Sequence, residues 1–192
     1  MRKSLIMLTL AGAFCGALLS TTLFAATPPK REPAVPRKAA EFDFRMLDGS
    51  HKLLSTYRGK TVILGFFFTT CPHCEHTAQL LMKMRAAYAS KGVEVLAVVF
   101  EEGAPARMKQ FVTETGLTFP LTYSDQGMVL EFLQYPPTAP YMVPVLVFID
   151  KGGTVRGEYG GDDKFLTNEE PNIRAEIERV LKLGSAPATG KP

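Results

Sequence analysis

The segment Thr61 to Phe68, T-V-I-L-G-F-F-F, is apolar at almost every position and reaches Cys71-Pro72-His73-Cys74 after only two threonines. A strand exposed on one face alternates apolar with polar residues, whereas a strand apolar at consecutive positions has to be covered on both faces. The chain is therefore committed to a central strand between two layers, with a C-x-x-C at the strand's carboxyl end. One sheet with helices packed on both faces, an α/β domain, meets that demand.

The flanking sequence supplies the other layers. Phe42, Phe44 and Met46 alternate with polar residues, Asp48-Gly49 makes a turn and Leu53-Leu54 follows, which reads as an N-terminal β-hairpin. After the cysteines, Leu81, Met84 and Tyr88 recur at helical spacing and Lys91-Gly92 ends the helix. Val93 to Phe100 is a second buried strand. Pro105, placed at a first helical position, and Gly116 bracket a helix with Met108, Phe111 and Val112 facing inward. A short helix is expected over Asp125 to Leu133, then a proline-rich loop over Gln134 to Pro140. Val145 to Ile149 and Thr154 to Tyr159 flank Asp150-Lys151-Gly152-Gly153 as a second hairpin, and a last helix starts near Asn168 and runs to Gly184.

At 192 residues the chain has room for one domain of ordinary size. Met1-Arg2-Lys3 followed by an uncharged run from Ser4 through Pro29 has the form of a signal peptide, or of a membrane anchor if residues 4–26 are retained, since about 20 apolar residues span a bilayer. Cleavage is expected after Ala25 or Ala26. Phe14, bulky, argues against lipidation at Cys15. The organisation expected is thus leader 1–26, flexible Pro-rich lead-in 27–40, domain 41–183 and flexible tail 184–192, with a periplasmic or other extracytoplasmic location. With Arg2 and Lys3 set aside, 20 basic residues face 19 acidic ones, so no nucleic-acid partner is expected from bulk charge.

Removing the leader leaves two cysteines, and an exported chain whose only thiols form a C-x-x-C is built for redox chemistry. At the start of a helix the unpaired N–H groups and the helix dipole favour a thiolate. Cys71, at the mouth, is the expected nucleophile, and Cys74, one turn in, the resolving thiol. Pro72 fixes the first helical φ without losing a needed donor, and His73 offers an imidazole to the same sulfur. These two residues are expected to tune its acidity.

The order Phe42 to Asp48-Gly49, Tyr57-Arg58-Gly59-Lys60, the strand into Cys71-Pro72-His73-Cys74, Lys91-Gly92-Val93-Glu94-Val95, Val143-Pro144 and Phe148-Ile149-Asp150-Lys151-Gly152-Gly153 resembles the TlpA/ResA-like thioredoxin family of exported thiol-disulfide oxidoreductases. The resemblance covers about Ala40 to Leu183. It implies a thioredoxin-like fold with a central mixed β-sheet. Pro144 would be the cis-proline facing the disulfide, and Val143 would offer backbone hydrogen bonds to a bound peptide. Protein thiol or disulfide substrates and a membrane redox partner come with it. No cofactor is needed, because the electrons reside on two sulfurs, no metal site is expected, and monomer is the default.

Departures from the family pattern bear on mechanism. The usual Trp before the first Cys is Thr70, the carboxylate that many thioredoxins bury beneath the cysteines falls on Gly65, and the family's Glu three residues after the second Cys is Thr77. The proton acceptor for Cys74 is left unassigned. Glu75 and Glu101 are nearest in sequence, with a solvated charge the expected state of each. The loop Tyr135 to Tyr141 looks longer than the family's usual connection.

The family favours a reductase, of the cytochrome c maturation or metal-centre assembly type. Pro-His and Val143-Pro144 match the oxidant DsbA instead, and a stabilised thiolate makes a disulfide oxidising. A copper-binding chaperone using Cys71 and Cys74 with His73 or His76 is an alternative of another class. Peroxidase chemistry, weighed on Thr69 and Thr70, ranks behind exchange.

Overall fold

The computed structural model describes residues 33–136 and 139–183. The leader 1–26, the first part of the lead-in and the whole tail 184–192 expected from the sequence lie outside them. Eight strands, β1 Arg37–Lys38, β2 Asp43–Met46, β3 His51–Leu53, β4 Thr61–Phe67, β5 Val93–Val99, β6 Leu121–Tyr123, β7 Val145–Ile149 and β8 Thr154–Tyr159, join in one sheet. Its order is β1-β8-β7-β4-β5-β6-β2-β3. β4, β5 and β6 are parallel, while β7 runs antiparallel to β4. The helices are α1 Pro72–Tyr88, α2 Ala104–Thr115, α3 Gln126–Phe132 and α4 Glu169–Leu183.

The apolar run behaves as its composition requires, with every residue of β4 buried. Ile63 and Phe67 enter one core, with residues of α1, α2 and α4. Val62, Leu64 and Phe66 enter the other, with α3 and the N-terminal hairpin. Alternate side chains of one strand thus serve opposite layers. On the second face, aromatic rings do much of the closing. Phe66 meets Phe42 edge-on at 5.9 Å and Phe132 at 5.8 Å, and Phe42 meets Phe132 at 5.1 Å. Losing a buried ring of this kind typically costs about 3–5 kcal/mol, so this triangle anchors the hairpin and α3 to the sheet.

Two local expectations change in detail. Pro105 occupies the second position of α2, because Gly103, in the left-handed region at φ 72°, serves as the N-cap and Ala104 opens the helix. Val112 is only half-buried, while Met108 and Phe111 are in the core.

The Pro-rich lead-in is not free of the fold at its end. Arg37 and Lys38 pair with Val155 and Thr154 as an edge strand, and Ala39 is buried. The reason is a charge the sequence does not advertise: the Arg37 guanidinium lies 2.5 Å from Glu158 Oε2, with both side chains largely buried. The Val35–Pro36 bond is cis.

Candidate redox site

The site begins where β4 runs out. Cys71 donates its N–H to the Phe68 carbonyl at 3.2 Å, which closes a turn through Thr69 and Thr70. Cys71 is extended (φ −102°, ψ 111°) and is the N-cap of α1, with Pro72 in the first turn. A helix start leaves four N–H groups without intrahelical partners. The Cys71 sulfur accepts one of them, from Cys74, at 3.3 Å. The sequence therefore places the Cys71 Sγ in the position usually held by a Ser or Asp cap oxygen.

Both thiols are free, Cys71 half-buried and Cys74 buried. Burial pushes the Cys74 thiol well above the ordinary cysteine range, and its hydrogen bond to Cys71 works in the same direction. One sulfur is thus reachable and the other is buried and held protonated.

This asymmetry has a cost at high pH. A folded-state thiol that stays protonated while the unfolded thiol ionises makes the native state bind more protons, so stability falls as pH rises through the unfolded value of about 8.5. Denaturant melts of the dithiol protein should lose about 2 kcal/mol between roughly pH 8.5 and 10, at up to about 1.4 kcal/mol per pH unit. Cys74→Ser should remove most of that slope. An equal slope in the variant would assign the effect to other groups.

The Val143–Pro144 bond is cis. Val143 packs against both cores, and Cys71 packs against one of them. Gly161 lets the β8–α4 connection lie against this segment. Its N–H reaches the Met142 carbonyl at 3.0 Å, and a Cβ there would fall 2.7 Å from the Val143 oxygen. The long loop joins the site through rings. Phe68 packs on Phe100 at 4.8 Å and edge-on to Tyr141 at 6.4 Å, and Tyr141 contacts Tyr135 at 6.1 Å.

Two carboxylates flank the motif. The buried position on β4 is closed to one, since a Cβ on Gly65 would meet the Phe67 ring at 2.5 Å. α4 supplies one instead. Glu169, 7% exposed, hydrogen-bonds His73 Nε2 through Oε1 and receives the Thr77 hydroxyl at 3.1 Å on Oε2. His73 is thus tied to an anion, and the residue at the family's Glu position reaches a carboxylate by a hydrogen bond. Glu169 was missed by sequence reasoning, which had no means of pairing it with residues more than 90 positions away.

Glu101 corrects the expectation of a solvated strand-end charge. Its side chain is only 12% exposed, and Oε1 accepts the Thr69 N–H at 2.8 Å, the Thr69 hydroxyl and an Arg107 N–H at 3.4 Å. Glu75 sits half-buried in the first turn of α1. Among the described residues, no group of three or more His, Cys, Asp or Glu side chains is disposed to hold a metal. Of the ligands considered for copper, His73 is engaged by Glu169 and His76 is exposed.

Residues 35–158 match the AhpC/TSA family. Thiol-disulfide oxidoreductase ResA of Geobacillus kaustophilus is 33% identical over 157 residues, 81% of this chain and 83% of that protein. The ResA of Geobacillus thermodenitrificans is 32% identical over 93% of this chain and 97% of its own length. Among solved structures, a putative thiol:disulfide interchange protein DsbE from Chlorobium tepidum aligns with TM-score 0.61 and 24% identity, over 74% of this chain and 96% of that one. Its likeness fixes the fold as thioredoxin-like.

Proposed function

The chain belongs to the AhpC/TSA family as a ResA-like thiol-disulfide oxidoreductase, and from that premise we propose that it is a reductase, returning disulfides of exported protein clients to dithiols. In this reading Cys71 attacks a client sulfur to give a mixed disulfide. Cys74 then attacks Cys71, the client leaves reduced, and a membrane redox partner restores the dithiol. Val143 and Pro144 would dock the client's backbone beside Cys71.

The observation that carries the direction is the His73–Glu169 pair. An uncompensated imidazolium beside Cys71 would stabilise the thiolate, hence the reduced protein, and make the disulfide a strong oxidant. Here the imidazole is hydrogen-bonded to a buried carboxylate, whose negative charge opposes that pull. About 1.4 kcal/mol corresponds to 30 mV for this couple, so one neutralised charge moves the potential toward the reductase side by a fraction of the roughly 150 mV between thioredoxin and DsbA.

An extracytoplasmic location rests on the leader, residues 1–26, outside the described residues. Among those described, no helix is long and apolar enough to cross a membrane. The test of direction is the reduction potential of the domain, measured by equilibration with glutathione. A value near thioredoxin's, about −270 mV, is expected, and one near DsbA's, about −120 mV, would reverse the direction and make the protein an oxidant of secreted clients.

A further inference from the structure

The resolving step has a proton to place. Cys74 is buried, cannot hand its proton to bulk water, and must become a thiolate before it attacks. Two buried or nearly buried carboxylates touch the segments that carry the cysteines, and they differ in what their oxygens have left. Glu169 uses one oxygen on His73 and the other on Thr77. Glu101 concentrates its partners, Thr69 and Arg107, on Oε1. Its Oε2 is buried and has no hydrogen-bond partner among the described residues. A buried carboxylate oxygen without a donor is costly, commonly about 1–3 kcal/mol or more, so its retention calls for a use.

The turn Phe68–Thr69 brings the two groups together. Glu101 grips this turn through the Thr69 N–H and hydroxyl, and the turn closes with the Cys71 N–H on the Phe68 carbonyl at 3.2 Å, at the start of the helix that carries Cys74. The negative charge of Glu101 is felt at the Cys74 thiol. Arg107, from α2, bonds both Glu101 and Thr69 and so holds the carboxylate with Oε1 spent and Oε2 spare.

We propose that Glu101 is the proton acceptor for Cys74, taking the thiol proton on Oε2 as the mixed disulfide is resolved. In that step the Cys74 S–H bond breaks and its proton passes to the carboxylate. The thiolate attacks Cys71 Sγ, the Cys71–Cys74 bond forms, and the bond from Cys71 to the client sulfur breaks. The client sulfur leaves with the electron pair as a thiolate, and Glu101 releases its proton to it through solvent. The cysteine pair loses two electrons and the client disulfide gains them. The proposal requires only exchange at Cys71 and Cys74, and it holds for either direction of net electron flow.

Stopped-flow reaction of the reduced full-length protein with 5,5′-dithiobis(2-nitrobenzoate) separates the steps, because one thionitrobenzoate is released by Cys71 attack and a second by Cys74 resolution. Glu101→Gln should leave the first phase within about twofold and slow the second at least tenfold, within the range a positioned base supplies. Glu102→Gln, which removes the exposed carboxylate next in sequence, should leave both phases unchanged. A second phase at the parent rate in Glu101→Gln, or equal slowing of both phases, would overturn the proposal. Glu101→Asp, which keeps the charge but withdraws it by one methylene, covers a Gln variant that fails to fold. A slowed second phase with an intact first supports the assignment, and two intact phases overturn it. Loss of the first phase in the parent protein would instead count against exchange at Cys71.

Discussion

Replacing Cys71 with Ser should reduce catalysed insulin-disulfide reduction to the uncatalysed background. A hydroxyl at the helix mouth can still accept the Cys74 N–H, so the fold and the cap survive, but it is neither ionised nor able to form the mixed disulfide. Far-ultraviolet circular dichroism and melting temperature should therefore stay close to the parent's while turnover disappears. Cys74→Ser is the complementary experiment. Cys71 still attacks, resolution fails, and mixed disulfides with clients accumulate and can be isolated under non-reducing conditions. Retained turnover in Cys71→Ser would mean that the exchange runs through another group.

His73→Ala should weaken both the protein and its oxidising power. The substitution leaves the Glu169 carboxylate, 7% exposed, without its imidazole hydrogen-bond partner. Stranding a buried carboxylate costs about 1–3 kcal/mol, toward the lower end here because the His73 side chain itself is 42% exposed. The stranded negative charge also disfavours the Cys71 thiolate, which belongs to the reduced state. The disulfide is then favoured, and the equilibrium with glutathione should shift about tenfold, close to 30 mV toward more reducing values. Adding Glu169→Gln removes the stranded charge and should recover most of the stability and much of the potential. An unchanged potential in His73→Ala would mean that the imidazole does not act on Cys71.

What the sequence made legible and what it concealed divide along the length of the interactions. The double-sided strand, both hairpins, the helix stops at Gly92 and Gly116 and the C-x-x-C at a strand end are written in neighbouring residues, where periods of 2 and 3.6 and turn chemistry operate. The placing of Cys71 at a helix start could be read because its environment is local: it caps the helix that its own motif begins. The carboxylates could not. Glu101 looks like any charge at the end of a strand until α2 returns with Arg107, and Glu169 looks like any acid in a first helical turn until α4 docks against α1. The Arg37–Lys38 strand was hidden by four nearby prolines, because its partner Glu158 is more than 100 positions away.

The N-terminal segment from Arg37 to Leu53 supplies both margins of the sheet, β1 beside β8 and β2–β3 beside β6. That gives the fold a timetable. This segment precedes every one of its partners in the chain, yet β1 has nothing to pair with until Thr154 and Val155 are present. Contacts of such sequence separation are slow to close, because the loop entropy is spent before the contact repays it. A chain synthesised from its N-terminus would therefore carry the β2–β3 end loose until β6 had emerged and the β1 end loose until nearly the whole domain had, with that margin open to other chains in the interval. The β1 margin is therefore the last part of the sheet to close, after β8 is in place.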